Sequence, residues 1–389
     1  MPRLSPFTGL LFDPARVGPL DRVTSPPYDT IAPDQERRLH ALSPYNVVRL
    51  ILGRDEPGDH ETRNKYTRAA GRFRSWLADG TLRQTERPAW FPYEMTFRFQ
   101  GQNRKIRGVI CEVEVEPWGG SIHPHERTMP APVQDRLALL RAVRANLSPV
   151  YALARGPHEG LATLLEDVST GSEPVAAVAD EAGVEHRMWK LEDGAQIASW
   201  LERDELLIAD GHHRYAVALV FRDELHASHG PGPWDRMMMF VVDAATEDPP
   251  VLPIHRVVLS GDVSDDGRPV RDLAEVLSEV HDDDLRYGSV MVEDGRAIHR
   301  VGELKGDPPT VCALHDQVLA DADNRLRFVP DAVQAEEAVR TGQAVAAFFL
   351  PPTKVQRIRA VIDLGRRLPQ KSTYFWPKPR TGFVIRPLE

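Results

Sequence analysis

A short apolar run followed by a glycine turn and a helix constrains this chain more than any other feature. The run covers residues 206–208 and leads directly into the sequence ADGHHR at 209–214. Beyond it, Val217, Phe221 and Leu225 recur every four positions, which predicts a helix that begins at the motif. The sequence therefore predicts a strand, a turn at Gly211 and a helix, in that order.

The residues in the first turn of this helix carry an unusual combination of charges. A helix N-terminus has partial positive charge and unpaired backbone N–H groups, so His212, His213 and Arg214 need an anion beside them. Phosphate is a common ligand of such helix ends. The alternative is that Asp210 only caps the helix through a side-chain oxygen while the imidazoles bind neighbouring backbone. We expect phosphate binding here.

Length and composition indicate a chain of two domains. The 389 residues are 42% hydrophobic and 27% charged, enough to bury a substantial core. Apolar periodicity disappears in the polar segment 260–269, which contains two glycines. We expect a first domain over 1–260 and a smaller second α/β domain over 261–389.

Net charge and cysteine usage exclude several classes of protein. The formal net charge of -9 argues against a general nucleic-acid-binding surface, although a local basic pocket remains compatible with it. The two cysteines, Cys111 and Cys312, form no CxxC pair, so neither a disulfide framework nor a cysteine zinc site is expected. The first residues lack the apolar core of a signal peptide, and no segment approaches membrane-spanning length. We expect a cytoplasmic protein without membrane contact.

Hydrophobic patterning predicts strands mixed with helices along the whole chain. The predicted strands are 47–52, 90–99, 107–116, 150–153, 206–208, 237–242, 289–292 and 344–350. The predicted helices are 66–82, 133–145, the one that follows Gly211, and 354–366. The strands at 90–99 and 107–116 are expected to pair antiparallel across a turn. This pattern fits an α/β or α+β fold with a mixed sheet.

A second polar cluster, HPHERT, occupies residues 123–128. One interpretation makes His123 and His125 zinc ligands, but no third ligand has a diagnostic spacing. Another makes Glu126 a general base, with Arg127 and the histidines stabilising an anion or a transition state. A buried salt-bridge network around a bend explains the same residues, and the sequence leaves these alternatives open.

Three further groups are candidates for contacts to a substrate or a phosphate. Prolines hold the segments around them extended or in turns, which presents polar side chains to a pocket or serves ordinary turns. The first group lies in the segments 25–29 and 43–49, the second follows the predicted helix 133–145, and the third follows Pro369. The candidates are Tyr28, Asp29, Asn46, Asn146, Ser148, Lys371, Ser372 and Thr373.

Six motifs together resemble a bacterial family, domain of unknown function number 1015. They are SPPYD at 25–29, SPYNVVRLIL at 43–52, HPHERTMP at 123–130, NLSPVYAL at 146–153, ADGHHRY at 209–215 and LPQKSTYFWPK at 368–378. The residues 211–214 also resemble the Gly-Cys-His-Arg signature of the ParB and sulfiredoxin superfamily, with His212 in place of the reactive cysteine. That substitution disfavours sulfinic-acid reduction. The resemblance implies a ParB/sulfiredoxin-like core with insertions.

The small-molecule kinase branch of that superfamily implies phosphate-binding roles for His213 and Arg214 and an acidic residue that accepts the hydroxyl proton, which we assign to Glu126. The helix N-terminus itself leads us to expect Asp210 and Gly211 beside the phosphate and a hydrogen bond donated by His212. The expected reaction is phosphoryl transfer to a small hydroxyl compound, such as free L-serine. The donor would be a nucleotide or pyrophosphate, with Mg²⁺ held by Asp210 through water. A non-catalytic binder of nucleotides or phosphometabolites and a phosphate-ester hydrolase remain alternatives, and the oligomeric state stays open.

Overall fold

The chain divides into two compact units. The computed structural model describes residues 1–126, 130–320 and 322–389. The first unit contains Met1–Pro124, Thr128–Pro249 and Pro377–Glu389, and the second contains His125–Arg127 and Pro250–Trp376. The chain therefore leaves the first unit and returns to it.

A large mixed sheet forms the centre of the first unit. The first unit contains the strands β1 (Leu4–Ser5), β2 (Leu10–Phe12), β3 (Leu82–Gln84), β4 (Phe91–Phe99), β5 (Gln102–Glu114), β6 (Ile122–Pro124), β7 (Ala145–Asn146), β8 (Val150–Ala154), β9 (Ala176–Ala179), β10 (Glu185–Met188), β11 (Leu206–Asp210) and β12 (Arg236–Asp243). The main sheet has the order β6-β11-β8-β12-β5-β4-β10-β9, with β1 on β5. The pairs β6–β11 and β8–β12 are parallel, whereas β8–β11 is antiparallel. These pairings place β11, which carries the ADGHHR motif at its end, between β6 and β8.

Helices of the first unit cover this sheet and form a second core beside it. They are α1 (Pro14–Val17), α2 (Pro33–Leu42), α3 (Val48–Ile51), α4 (Lys65–Ala78), α5 (Pro130–Val143), α6 (Glu159–Gly171), α7 (Ala195–Leu201), α8 (His212–His229) and α9 (Ala244–Glu247). The helix α4 begins at a capping box, in which Asn64 and Thr67 each bind the other's backbone N–H. Trp76 and Phe73 of α4 pack in the second core with Leu50 of α3. Burial of their apolar faces fixes these helices in place.

The strand predicted over 47–52 is wrong, because α3 is a short buried helix. The side-chain oxygen of Asn46 accepts a hydrogen bond from Val48 N at 2.9 Å and supports the first turn. Val48, Leu50 and Ile51 are all buried, so the apolar run reflects burial of most of this short helix rather than a strand. The other predicted strands and helices named above are present, with shifted ends.

The second unit is a smaller α/β unit with an antiparallel sheet. Its strands are β13 (Val251–Leu252), β14 (His255–Val258), β15 (Arg268–Val270), β16 (Arg286–Glu293), β17 (Arg296–Glu303), β18 (Leu326–Val329), β19 (Ala346–Phe349) and β20 (Tyr374–Phe375). Its helices are α10 (Leu273–Glu279), α11 (Thr310–Gln317), α12 (Ala332–Arg340) and α13 (Val355–Asp363). The six-stranded order is β15-β17-β16-β19-β14-β18. Both units together confirm the predicted mixed α/β class.

The predicted domain boundary after residue 260 differs from this division at two places. The strand β14 lies before residue 260 but pairs with β18 and β19, so the second unit begins at Pro250. The final strand, β21 (Arg386–Pro387), pairs with β7 and returns the C-terminal segment to the first unit. Long-range pairing decides both boundaries, and loss of apolar periodicity marks only a loop.

None of the helices in the described part of the chain is long and apolar enough to cross a lipid bilayer.

Close packing at Gly108 gives a test of the main sheet. A Cβ atom on Gly108 of β5 would lie 2.4 Å from the carbonyl oxygen of Val241 and 2.7 Å from the ring of Phe240. We expect Gly108→Ala to lower the free energy of unfolding by about 1–3 kcal/mol, because overpacking displaces neighbouring groups. Urea unfolding measures the change.

The matched control is Gly71→Ala on the exposed side of α4, where a Cβ meets nothing within 4 Å. We expect this variant to be more stable by roughly 0.5–1 kcal/mol, because glycine weakens a helix interior. Equal effects of the two substitutions would contradict the register of β5 against β12.

Candidate functional site

The ADGHHR motif forms the predicted strand, turn and helix. The strand β11 ends at Asp210, Gly211 has φ 96° and ψ 26°, and α8 begins at His212. A Cβ on Gly211 would lie 2.9 Å from Nη2 of Arg214, and the left-handed backbone strains other residues. Glycine is therefore required both by the turn and by the guanidinium that packs over it.

The guanidinium of Arg214 is held from two sides, and its Nε donor is not used by either contact. Its Nη2 donates to Oδ2 of Asp210 at 2.6 Å, and its Nη1 donates to the carbonyl oxygen of Pro149. The Nε atom is buried and has no hydrogen-bond partner among the described residues. Because only 13% of the Arg214 side chain is exposed, an unfilled donor here is costly unless a ligand fills it.

Asp210 binds a second cation from the C-terminal segment. Its Oδ1 accepts a hydrogen bond from Nζ of Lys378, which also lies 3.5 Å from a carboxylate oxygen of Asp29. The Lys378 side chain is 9% exposed. These contacts bring Asp29 and Asp210, predicted from separate motifs, into one network.

Tyr28 and Arg136 form the neighbouring part of the site. The guanidinium of Arg136 lies over the Tyr28 ring, 4.3 Å from its centre, in a cation–π contact. Burial, followed by the nearby Asp29 carboxylate, raises the pKa of Tyr28 to about 12. The phenol is therefore protonated at neutral pH and can donate a hydrogen bond.

A cavity of about 550 Å³, open to solvent, lies against these side chains. We call it the Arg214 cavity. Most of its wall is apolar, and a smaller part is polar or cationic. Its lining residues are Tyr28, Ile51, Arg136, Leu139, Leu140, Ala145, Asn146, Leu147, Ser148, Arg214, Val217, Ala218 and Met237. An apolar wall with a cationic part suits a molecule that has an apolar body and an anionic group.

Asn146 and Ser148, two candidates from the sequence, also lie in this wall. Oδ1 of Asn146 accepts from the backbone N–H of Met238 at 3.0 Å, and the Ser148 hydroxyl lies 2.9 Å from that of Thr381. Asn46 is fully buried outside the lining residues, where its amide donates to the carbonyl of Arg22 at 2.8 Å. The contacts of Asn46 stabilise the start of α3.

The histidines predicted for the site differ in their surroundings. His212 is 4% exposed, whereas His213 is only partly buried. His123, in the edge strand β6 of the first unit, has its Nε2 3.4 Å from a carboxylate oxygen of Glu205. His212 and His213 begin α8 beside Arg214, and His123 has a separate acidic neighbour.

The other predicted residues belong to the second unit. Nε2 of His125 lies 2.6 Å from the hydroxyl of Thr373, and Ser372 donates to the carbonyl of Pro369 at 2.6 Å. The carbonyl of Lys371 accepts from the buried Arg256 at 2.8 Å. Glu126 pairs through its backbone with Leu368, and Arg127 lies outside the described residues.

The donor set does not fit the predicted Mg²⁺ contact at Asp210. Both oxygens of this carboxylate accept from cations, which oppose the approach of a metal ion. In the described ranges 1–126, 130–320 and 322–389, no three His, Cys, Asp or Glu side chains are arranged to hold a metal.

Two residues of the site escaped prediction from the sequence. Arg136 lies in α5 outside every quoted motif, and its contact with Tyr28 places it at the site. Lys378 is the last residue of the motif LPQKSTYFWPK, in which we predict residues 371–373 as contacts instead. A quoted motif therefore contains Lys378, whereas no quoted motif contains Arg136.

The model of a family of proteins of unknown function, DUF1015, matches residues 4–318 of the sequence. The chain belongs to this family. The membership expected from the six motifs is confirmed, although the last motif, at 368–378, lies beyond the matched residues. No curated protein matches the sequence at a significant level.

Several solved structures resemble this DUF1015 chain distantly. A free serine kinase in complex with AMP is 12% identical, with 72% of this chain and 91% of that chain covered and a TM-score of 0.39. A conserved hypothetical protein from Pyrococcus furiosus is 12% identical, with coverages of 68% and 89% and a TM-score of 0.38. SbnI with a C-terminal truncation, from Staphylococcus aureus, is 13% identical, with coverages of 72% and 87% and a TM-score of 0.37. At these values the likeness assigns neither a ligand nor a reaction to this chain.

The shared carboxylate of Asp210 gives a test of the network. Lys378→Met removes one of the two cations that bind Asp210, and we expect it to lower the free energy of unfolding by about 2 kcal/mol. Asp210→Asn removes the carboxylate that Arg214 and Lys378 share, and we expect a loss of about 3 kcal/mol. The double variant should lose less than the sum, because the two residues interact directly. Urea unfolding of the four proteins gives the coupling.

Lys190→Met is the control, because Lys190 forms a 2.9 Å pair with Glu192 but is 34% exposed. We expect it to change stability by less than about 1 kcal/mol. Additive effects at Asp210 and Lys378 would show that the two residues do not share an ion pair in solution.

Proposed function

We propose that the Arg214 cavity binds a phosphorylated small molecule and that its phosphate contacts Arg214. The observation that carries this proposal is that Arg214 lines the cavity and that its buried Nε donor has no hydrogen-bond partner among the described residues. A guanidinium presents its N–H groups in a planar fork that matches phosphate oxygens. A phosphate oxygen would satisfy that donor without breaking the pair with Asp210.

The start of α8 adds to the attraction for an anion. Gly211 supplies no side-chain cap, and the first turn contains no acidic residue. The partial positive charge of an 18-residue helix is therefore not offset by a carboxylate within that turn. His213, also in this turn, is the second phosphate contact of the proposal, and a hydrogen bond from His212 is the third.

The apolar wall accounts for the rest of the ligand. Leu139, Leu140 and Val217 form part of this wall, and Arg136 and Tyr28 lie on the same cavity. A planar nucleobase suits such a wall. The Arg136 guanidinium binds the Asp135 carboxylate at 2.8 Å and the carbonyl of Ile51 at 2.7 Å, and the N–H groups that remain on its terminal nitrogens are suited to a second phosphate group. These features favour a nucleotide over pyrophosphate as the ligand.

The reaction we propose is phosphoryl transfer from this ligand to a small hydroxyl compound, for which free L-serine is the first candidate. The hydroxyl oxygen forms a bond to the terminal phosphorus while the bridging P–O bond breaks. The leaving oxygen keeps the electron pair, and Arg214 stabilises its charge. A carboxylate takes the hydroxyl proton. Asp29, next to Tyr28 in the first unit, is the candidate for this base, whereas the sequence-predicted Glu126 belongs to the second unit.

A non-catalytic binder is the second candidate function. The observation that favours it is the state of Asp210, whose two oxygens are occupied by Arg214 and Lys378 and are poorly suited to act as a base. Mg²⁺ at Asp210 is not part of either proposal for the same reason.

Ligand binding is tested by isothermal titration with ADP and with pyrophosphate. We expect Arg214→Gln and Arg136→Gln each to weaken ADP binding about tenfold or more, because each removes a charged hydrogen-bond donor from the cavity. Arg141→Gln is the matched control on α5, where Arg141 is 52% exposed and outside the cavity lining. Equal affinity of the Arg214→Gln variant and the unaltered protein would remove this cavity as the phosphate site.

Catalysis is tested by following ³¹P NMR spectra of a nucleotide or pyrophosphate with L-serine and other hydroxyl compounds. We expect Asp29→Asn to lower turnover by about 10²–10⁴-fold with ADP affinity retained, because the base acts on the proton rather than on the phosphate. Glu126→Gln tests the base expected from the sequence. The variant that loses turnover identifies the base. Release of inorganic phosphate without an acceptor would indicate a hydrolase. Ligand binding without any turnover would support the non-catalytic binder.

A further inference from the structure

A second cavity in the first unit is lined almost entirely by cations. It has a volume of about 750 Å³, including its opening, and lies among α2, α3 and α4. Six of its lining side chains are Arg or Lys, and one is a carboxylate. We call it the basic cavity, and its lining residues are Arg37, His40, Ala41, Arg49, Gly53, Arg54, Glu56, Lys65, Arg68 and Arg72.

Internal ion pairs account for only part of this positive charge. Arg54 lies 3.4 Å from Glu36, and Lys65 lies 3.5 Å from Asp55. Arg68 and Arg37 also have acidic partners, Asp59 and Asp34. Those pairs use four of the six cations.

Arg49 and Arg72 have no carboxylate partner among the described residues. Arg49 donates to the backbone carbonyls of Ser43 at 3.1 Å and His40 at 2.5 Å, which leave its charge uncompensated. Burial, followed by the charges of Arg72 and Arg54, lowers the pKa of Arg49. Two neighbouring like charges attract an anion, even in a chain with a net charge of -9.

We propose that the basic cavity is a second anion site, which binds a small molecule with several adjacent phosphate groups. A concave site of this size with several converging guanidiniums suits a compact polyanion. The repulsion between Arg49 and Arg72 is then relieved on binding, which favours a ligand of high charge over a single phosphate. The site is independent of the Arg214 cavity.

The probe is inorganic triphosphate, titrated calorimetrically into the full chain that carries Arg214→Gln, so that the first cavity does not contribute. We expect Arg72→Glu to weaken triphosphate binding by about a hundredfold, because it both removes a donor and adds a like charge to the ligand. Arg74→Glu makes the same charge change at an exposed position of α4 outside the cavity lining. We expect less than a threefold effect from this control.

A second measurement separates binding from a structural role. Without ligand, Arg72→Glu should raise the melting temperature, because the new carboxylate compensates Arg49, whereas Arg74→Glu should not. Equal weakening by the two variants, or no triphosphate binding to the Arg214→Gln chain, would overturn the proposal. Tighter binding of a single-stranded RNA that competes with triphosphate would also overturn it, because the ligand would then be a polynucleotide.

Discussion

The carboxylate of Asp210 is the interaction on which the candidate site depends. It joins the end of β11, the first turn of α8 and the C-terminal segment, through Arg214 and Lys378. A carboxylate with so little exposure is tolerated only when cations compensate it. Asp210 and the Pro149 carbonyl each take one N–H of a terminal nitrogen of Arg214, so the Nε donor and one N–H on each terminal nitrogen are left on a residue that lines the cavity.

The C-terminal segment supports both the fold and the site of the first unit. Besides Lys378, it contributes Arg386, whose buried guanidinium binds Glu112 of β5 at 2.7 Å. Backbone hydrogen bonds join Thr381 to Ser25 and Ile385 to Leu10. Residues from both ends of the chain are thereby fixed against the main sheet. A first unit that ended near residue 250 would lack Lys378, the cation that completes the Asp210 network.

Much of the local structure was predictable, because periodicity and turn residues act over short distances. The strand, glycine turn and helix at 206–229 follow directly from the pattern, as does the pair of β4 and β5. The strand predicted over 47–52 is wrong because a helix of four residues is too short to show a period. The sequence does not predict the basic cavity, because its cations come from α2, α3, α4 and the segment before α4, and only Arg49 belongs to a quoted motif.

The sequence by itself determined the family, the mixed α/β class and the conformation around Gly211, since each depends on motifs or on neighbours within a few residues. It also identified Tyr28, Asn146, Ser148 and Arg214 as candidates, but as members of separate motifs. Only the tertiary structure placed them on one cavity and added Arg136 and Lys378. Charge compensation and cavity shape arise between segments as far apart as residues 210 and 378, and spacing along the chain does not encode such contacts.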